Sequence, residues 1–144
     1  MIKDTVNNVH VSAEDVLITP EDLSAELPVS DKALEAISES RKIVSDIIHR
    51  RDHRLLVVCG PCSIHDIDAA KEYALKLKEL HESCKDTLFI VMRVYFEKPR
   101  TTTGWKGLIN DPHIDGTFDI ETGLFHALAH KRPYQPVLLF YQLR

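Results

Sequence analysis

Stretches with apolar residues at helical spacing alternate along this chain with short unbroken apolar runs, and the alternation predicts an α/β fold. Residues 1–19 carry brief apolar alternations, Val9/Val11 and Val16/Ile18, between polar residues, which suits an extended arm. Thr19-Pro20-Glu21-Asp22 reads as an N-cap with proline at the first helical position, opening a short helix to about Leu27. Ser30 or Asp31 caps a second helix whose stripe is Leu34, Ile37, Val44, Ile47 and Ile48. Arg54–Cys59 (RLLVVC) is continuous and apolar, ended by Gly60-Pro61, the pattern of a strand buried on both faces in a parallel sheet. Asp66 then caps a helix with Ala70, Tyr73, Ala74, Leu77 and Leu80 as its stripe and a Glu72–Lys76 pair outside. Leu88–Val94 is a second buried strand. Strand, helix, strand in that order is a βαβ unit, expected to cross over right-handed. A polar segment punctuated by Gly and Pro runs from Tyr95 to Gly116, long enough to expect a function for it. Asp119 to about Ala129 forms one further helix.

Composition narrows the class without naming it. The chain has 144 residues, 44% hydrophobic and 28% charged, which allows one domain with a core. A net charge of -4 offers no global basic field, so neither nucleic acid nor an anionic membrane is expected as a partner. The N-terminus is too polar for a signal peptide, and no apolar run approaches the roughly 20 residues of a membrane span. Three cysteines, Cys59, Cys62 and Cys84, fit a cytoplasmic protein with reduced thiols.

Two stretches carry candidate chemistry. Cys59-Gly60-Pro61-Cys62 matches a C-x-x-C redox motif, but redox work needs its first cysteine exposed at a helix N-terminus. Cys59 instead closes an apolar run and is expected to pack. Cys62 falls just past the C-terminal end of a parallel strand, the edge where ligands bind in α/β folds. A metal ligand is one reading, with His65 or Asp66 assisting, though one thiolate is far from a complete site. Two cysteines filling space is the plainer reading.

The second stretch, Arg93 to Lys106, places a guanidinium in the last turn of an apolar strand, followed by Lys98, Arg100 and Lys106 with only Glu97 opposed. Thr101, Thr102 and Thr103 add hydroxyl donors. Such a group suits a phosphate or carboxylate; a solvated loop face is the alternative. Arg93 is the best candidate, because a charge in a buried strand is costly without a partner. His113, in Asn110-Asp111-Pro112-His113, and Trp105 read as turn and packing residues.

RLLVVCGPCSIHD (Arg54–Asp66) and IVMRVYFEKPRTTTGWKGLINDPHIDG (Ile90–Gly116) resemble the two long signatures of the microbial DAHP synthases kept by bacteria as feedback-regulated isoenzymes. The arm, KDTVNNVHVSAEDVLITPEDL, is most similar to the tyrosine-inhibited type, and the likeness extends to about Leu124. The resemblance implies a (β/α)8 TIM barrel and a condensation of phosphoenolpyruvate with erythrose 4-phosphate. The product is 3-deoxy-D-arabino-heptulosonate 7-phosphate, at the entry to aromatic amino-acid synthesis. It implies Cys62 as one ligand of a divalent metal that polarises the aldehyde. Arg93 and Lys98 would contact phosphoenolpyruvate, with Lys106 a neighbour. Lys98, Pro99, Arg100 and Thr101 would line the erythrose 4-phosphate pocket, making Lys98 the candidate catalytic residue. It also implies a homo-oligomer and an aromatic amino acid, tyrosine, as feedback ligand.

Three regions are expected: residues 1–50 as arm and helices, 51–124 as the first part of the barrel, and 125–144 as a divergent tail. A (β/α)8 barrel takes about 250 residues, and only two barrel strands are evident here. Pro133 and Pro136 break any helix in the tail, and Val137–Leu143 has no partner in view. The expected chain is therefore an incomplete barrel that neither holds the metal alone nor catalyses the condensation. Alternatives are a non-catalytic chain that pairs with intact subunits, and a thiol–disulfide oxidoreductase on Cys59 and Cys62. If the tail arises from a frameshift, translating the neighbouring frame past codon 124 restores family sequence; finding none there counts against it.

Overall fold

Side-chain caps start the helices where the sequence places them. The computed structural model describes residues 16–98 and 103–129, together with a two-residue strand at 139–140. The arm before residue 16, the tail prolines, and Pro99, Arg100 and Thr101 lie outside the described residues. Thr19 accepts from the Asp22 N–H and opens α1 (Pro20–Glu26); Ser30 accepts from Ala33 and opens α2 (Asp31–Ile48). Asp66 accepts from Ala69 at 2.9 Å and opens α3 (Ile67–Cys84). Asp119 accepts from Thr122 at 3.1 Å ahead of α4 (Ile120–Ala129). Each cap satisfies an otherwise orphaned helix N–H.

The strands β1 (Leu55–Cys59), β2 (Leu88–Arg93) and β3 (Leu139–Phe140) form one parallel sheet in the order β1-β2-β3. β1 and β2 flank α3 in sequence, so the βαβ unit is present. Register pairs Leu56 with Phe89 and Val57 with Ile90. Pleating therefore sends Ile90 and Met92, with Val57 and Cys59, to one face. There they pack with Ala70, Ala74 and Leu77 of α3, and with Phe96, Leu108 and Ala127. Phe89 and Val91, with Leu56, face the other way and meet Ile43, Val44 and Ile47 of α2. A two-faced strand reads as an unbroken apolar run, and β2 is one: its four central residues are buried.

Three expectations need correction. β1 is not buried on both faces: Leu55 is 65% and Val58 59% exposed. It is the outer strand of the sheet, and no described element lies beyond it. The stripes of α2 and α3 are narrower than their apolar spacing. On α3, Ala70, Ala74 and Leu77 are buried while Tyr73 and Leu80 stay open at the margins. On α2, Leu34, Ile37 and Ile48 are exposed, because only the turn from Ile43 to Ile47 lies on the sheet. Lastly, the apolar tail does have a partner: Leu139 and Phe140 register with Met92 and Arg93. No helix among the described residues is long and apolar enough to cross a membrane.

At the N-terminal end of the sheet, Arg54 clasps Asp52 and lies over the Phe89 ring at 5.1 Å. Hydrogen bonds from Arg54 hold the Asp52 carboxyl down to about 2. At the opposite end, α4 presses on the segment that follows β2. A methyl group at Gly123 would stand 2.7 Å from the Leu108 carbonyl oxygen. Alanine in a helix interior ordinarily gains about 1 kcal/mol over glycine. Here the overlap reverses the sign. Gly123→Ala is expected to lower unfolding free energy by about 1–3 kcal/mol, read from a urea transition; a more stable variant would contradict this packing.

Candidate functional site

β1 ends at Cys59 opposite Met92, which sets Gly60 against the last residue of β2, Arg93. The approach is close: a methyl at Gly60 would lie 3.0 Å from the Arg93 backbone nitrogen and nearer still to its carbonyl oxygen, so only glycine fits. The Arg93 side chain closes the same gap. Its Nε donates to the Pro61 carbonyl at 3.2 Å, and its NH2 nitrogen donates to Pro61 at 2.9 Å and Gly60 at 3.3 Å. The Tyr95 ring lies 5.2 Å from the guanidinium carbon, a cation–π contact. Tyr95 also accepts, through its carbonyl, the Ile64 N–H at 2.8 Å.

Those contacts hold the β1–α3 turn from both sides. Cys62 sits in it with its side chain exposed, while Ile64 is buried in the main core. Cys62 and Arg93 thus occupy the same C-terminal edge of the sheet. Cys59 points into packing on the α3 side, as expected, near the Tyr73 side chain. Burial pushes the Tyr73 phenol up, the Cys59 side chain adds to the shift, and the positive charge of Arg93 opposes it. All three thiols are free.

The segment after β2 folds back on itself. Lys98 N–H donates to the Lys106 carbonyl at 2.8 Å, Glu97 bridges Gly107, and Ile109 N–H donates to Phe96. This antiparallel pairing puts Lys98 and Lys106 opposite each other at the base of the loop. Pro99, Arg100 and Thr101 fall between them in sequence and lie outside the described residues. Glu97, the sole acid of the stretch, accepts from Asn110 at 3.5 Å.

A brace fixes the far side of that loop. Trp105 donates its indole N–H to the Asp111 carbonyl at 2.7 Å, and its ring meets His65 edge-on at 6.2 Å. Asp111 is buried, and both its carboxylate oxygens accept the Gly116 N–H, at 3.2 and 3.3 Å. His113 pairs with Asp119, at 3.5 Å, a structural use. The sequence reading missed Tyr95, Tyr73 and Asp111. Tyr95 had a signal, since a residue two beyond Arg93 in an extended chain returns to the same face. Asp111 had a weaker one in Asp-Pro, a common turn opening.

The donor set does not make a complete metal centre. Among the described residues, no three His, Cys, Asp or Glu side chains are grouped to hold an ion. Asp66, one expected helper of Cys62, accepts from the Ala69 backbone, and His65 stands against Trp105. What the edge does offer is the Arg93 guanidinium on the turn that carries an exposed Cys62, with Lys98 and Lys106 joined through their backbones in the segment that follows β2.

A family model described as the DAHP synthetase I family matches residues 25–137, past the point near Leu124 where the likeness was expected to fade. The chain is 62% identical over 124 residues to the Tyr-sensitive phospho-2-dehydro-3-deoxyheptonate aldolase of Escherichia coli K12, covering 86% of this chain and 35% of that protein. It is 56% identical over 108 residues to the Phe-sensitive protein of the same strain, covering 75% of this chain and 31% of that one. A solved structure of the aldolase from Francisella tularensis SCHU S4 superposes with a TM-score of 0.82 at 46% identity, over 90% of this chain and 38% of that one. The chain therefore spans about a third of the length of the relatives it matches.

The Asp111 brace is open to direct test. Asp111→Ala leaves the Gly116 N–H without its acceptor and is expected to cost about 1–3 kcal/mol. The urea midpoint measures this, and a midpoint equal to the parent's would show that the brace carries no weight.

Proposed function

Because the chain belongs to the DAHP synthetase I family, we propose that it carries the first part of a site that condenses phosphoenolpyruvate with erythrose 4-phosphate. In this reading its sheet is the opening of a (β/α)8 barrel. The single observation that supports it is the shared edge: Arg93 reaches across from β2 and donates to the turn that carries Cys62. Lys98 and Lys106, brought together at the base of their loop, extend the positive charge from that point.

The chemistry follows from charge. Two phosphorylated substrates repel each other, and cations fixed in advance lower the cost of holding them together. Arg93 is suited to a carboxylate or phosphate through planar N–H donors. Lys98 acts as a mobile point charge between the two substrates and is the residue to which we assign the catalytic contact. Lys106 supports the phosphoenolpyruvate side, and Pro99, Arg100 and Thr101 the erythrose 4-phosphate side. Cys62 would supply one thiolate to a divalent cation, which would act as a Lewis acid on the aldehyde, and the described residues do not complete that centre. The Tyr-sensitive and Phe-sensitive relatives support an aromatic amino acid as feedback ligand, tyrosine by greater similarity, and the reading takes the whole to be a homo-oligomeric cytoplasmic enzyme.

Titration calorimetry on the 144-residue chain tests the reading. Phosphoenolpyruvate is expected to bind saturably, and Arg93→Ala to weaken it about tenfold or more, about 1.4 kcal/mol. The same preparation, given both substrates and a divalent metal, is expected to form no product. Absence of binding would sink the anion site, and product formation would sink the claim that the site is partial.

A further inference from the structure

Arg93 has more work in this structure than the contact with an anion assigned to it above. A guanidinium carries five N–H donors: one on Nε and two on each terminal nitrogen. Here the Nε hydrogen and the NH2 nitrogen are directed at the Gly60 and Pro61 carbonyls, in three hydrogen bonds of 2.9 to 3.3 Å. The edge of the fork that grips a carboxylate or phosphate with two parallel bonds is therefore occupied by the protein's own backbone. Only the NH1 nitrogen has no hydrogen-bond partner among the described residues.

We propose that Arg93 is a positioning residue for the turn carrying Cys62, and that an anion taking its Nε/NH2 edge releases that turn. The proposal rests on the reading of Arg93 as an anion contact and goes beyond it. An anion has two ways to bind that matter here: through the two free NH1 hydrogens, leaving the tether in place, or through two parallel bonds on the occupied Nε/NH2 edge. Charge favours the second, because two parallel bonds to an anion add an ion–ion attraction that bonds from the same guanidinium to uncharged carbonyls lack. The Gly60 and Pro61 carbonyls then turn to water, and the Cys62 segment loses one of its two anchors. The other, Ile64 N–H to the Tyr95 carbonyl, persists and keeps the release local. By linkage, whatever holds Cys62 in its tethered place weakens anion binding by the same factor.

Hydrogen–deuterium exchange of the Cys62 and Ser63 amides, with the Ile64 amide as the protected reference, on the 144-residue chain at low micromolar concentration with phosphoenolpyruvate as probe, separates the outcomes. A ligand that merely lies on the turn slows exchange; one that takes Arg93 away from the turn speeds it. The expected result is at least about threefold faster exchange at saturation. In Arg93→Lys, which keeps the charge and lacks the fork, exchange is expected to be fast already and indifferent to the ligand. Binding shown by calorimetry with exchange unchanged or slowed overturns this inference and leaves the anion site standing. No binding overturns both. The wild-type comparison requires no variant, so an Arg93→Lys protein that fails to fold leaves the test intact.

Discussion

One side chain ties the two strand ends together. The Arg93 guanidinium spans from the end of β2 to the carbonyls that follow β1, and Gly60 allows the backbones to come close enough for it to reach. A charge at the end of a buried strand is costly unless hydrogen bonds offset its loss of water. The bonds from Nε and NH2 to Gly60 and Pro61 supply that offset and fix the turn in which Cys62 stands. Because the strands are parallel, their C-terminal ends lie side by side. The βα turn and the loop after β2 therefore open on one edge.

Packing on both faces supports that edge. Small residues on α3, Ala70 and Ala74, let the helix sit down on Ile90 and Met92, and α2 covers Phe89 and Val91. β2 is thereby held as the fixed central strand, and Arg93 extends from its end. The loop beyond is anchored at its base by the Lys98–Lys106 backbone bond and at its side by Trp105 and Asp111. Packed elements thus present the Arg93 guanidinium and the segment that carries Lys98 and Lys106, an arrangement suited to binding phosphorylated compounds.

Much of this was legible from residues alone, for identifiable reasons. Thr19, Ser30, Asp66 and Asp119 announced helix starts because capping is a local interaction. LFIVMR announced a two-faced strand because its apolar run admits no polar face. RLLVVC gave the same signal and was misread on burial, since exposure at Leu55 and Val58 depends on which strand stands outermost. That is a property of the sheet and not of the segment. Leu34, Ile37, Tyr73 and Leu80 failed likewise: spacing shows which face is apolar and not how far the neighbouring element extends. The pairing of Leu139 with Met92 lay beyond local pattern altogether, because its partner is distant in sequence. At the candidate site, the position of Cys62 and Arg93 on one edge followed from βαβ topology, whereas the donors of Arg93 to Gly60 and Pro61 did not, because hydrogen bonds to backbone leave no mark on residue identity.

The tether itself is the point on which the account stands, and nuclear magnetic resonance of the Arg93 Nε–Hε group reports it directly. A slowly exchanging Hε with cross-relaxation to protons of Pro61 and Cys62 is the result expected of a guanidinium held against that turn. A rapidly exchanging Hε with no such contacts would place Arg93 in solvent, and the shared edge would lose the interaction that defines it.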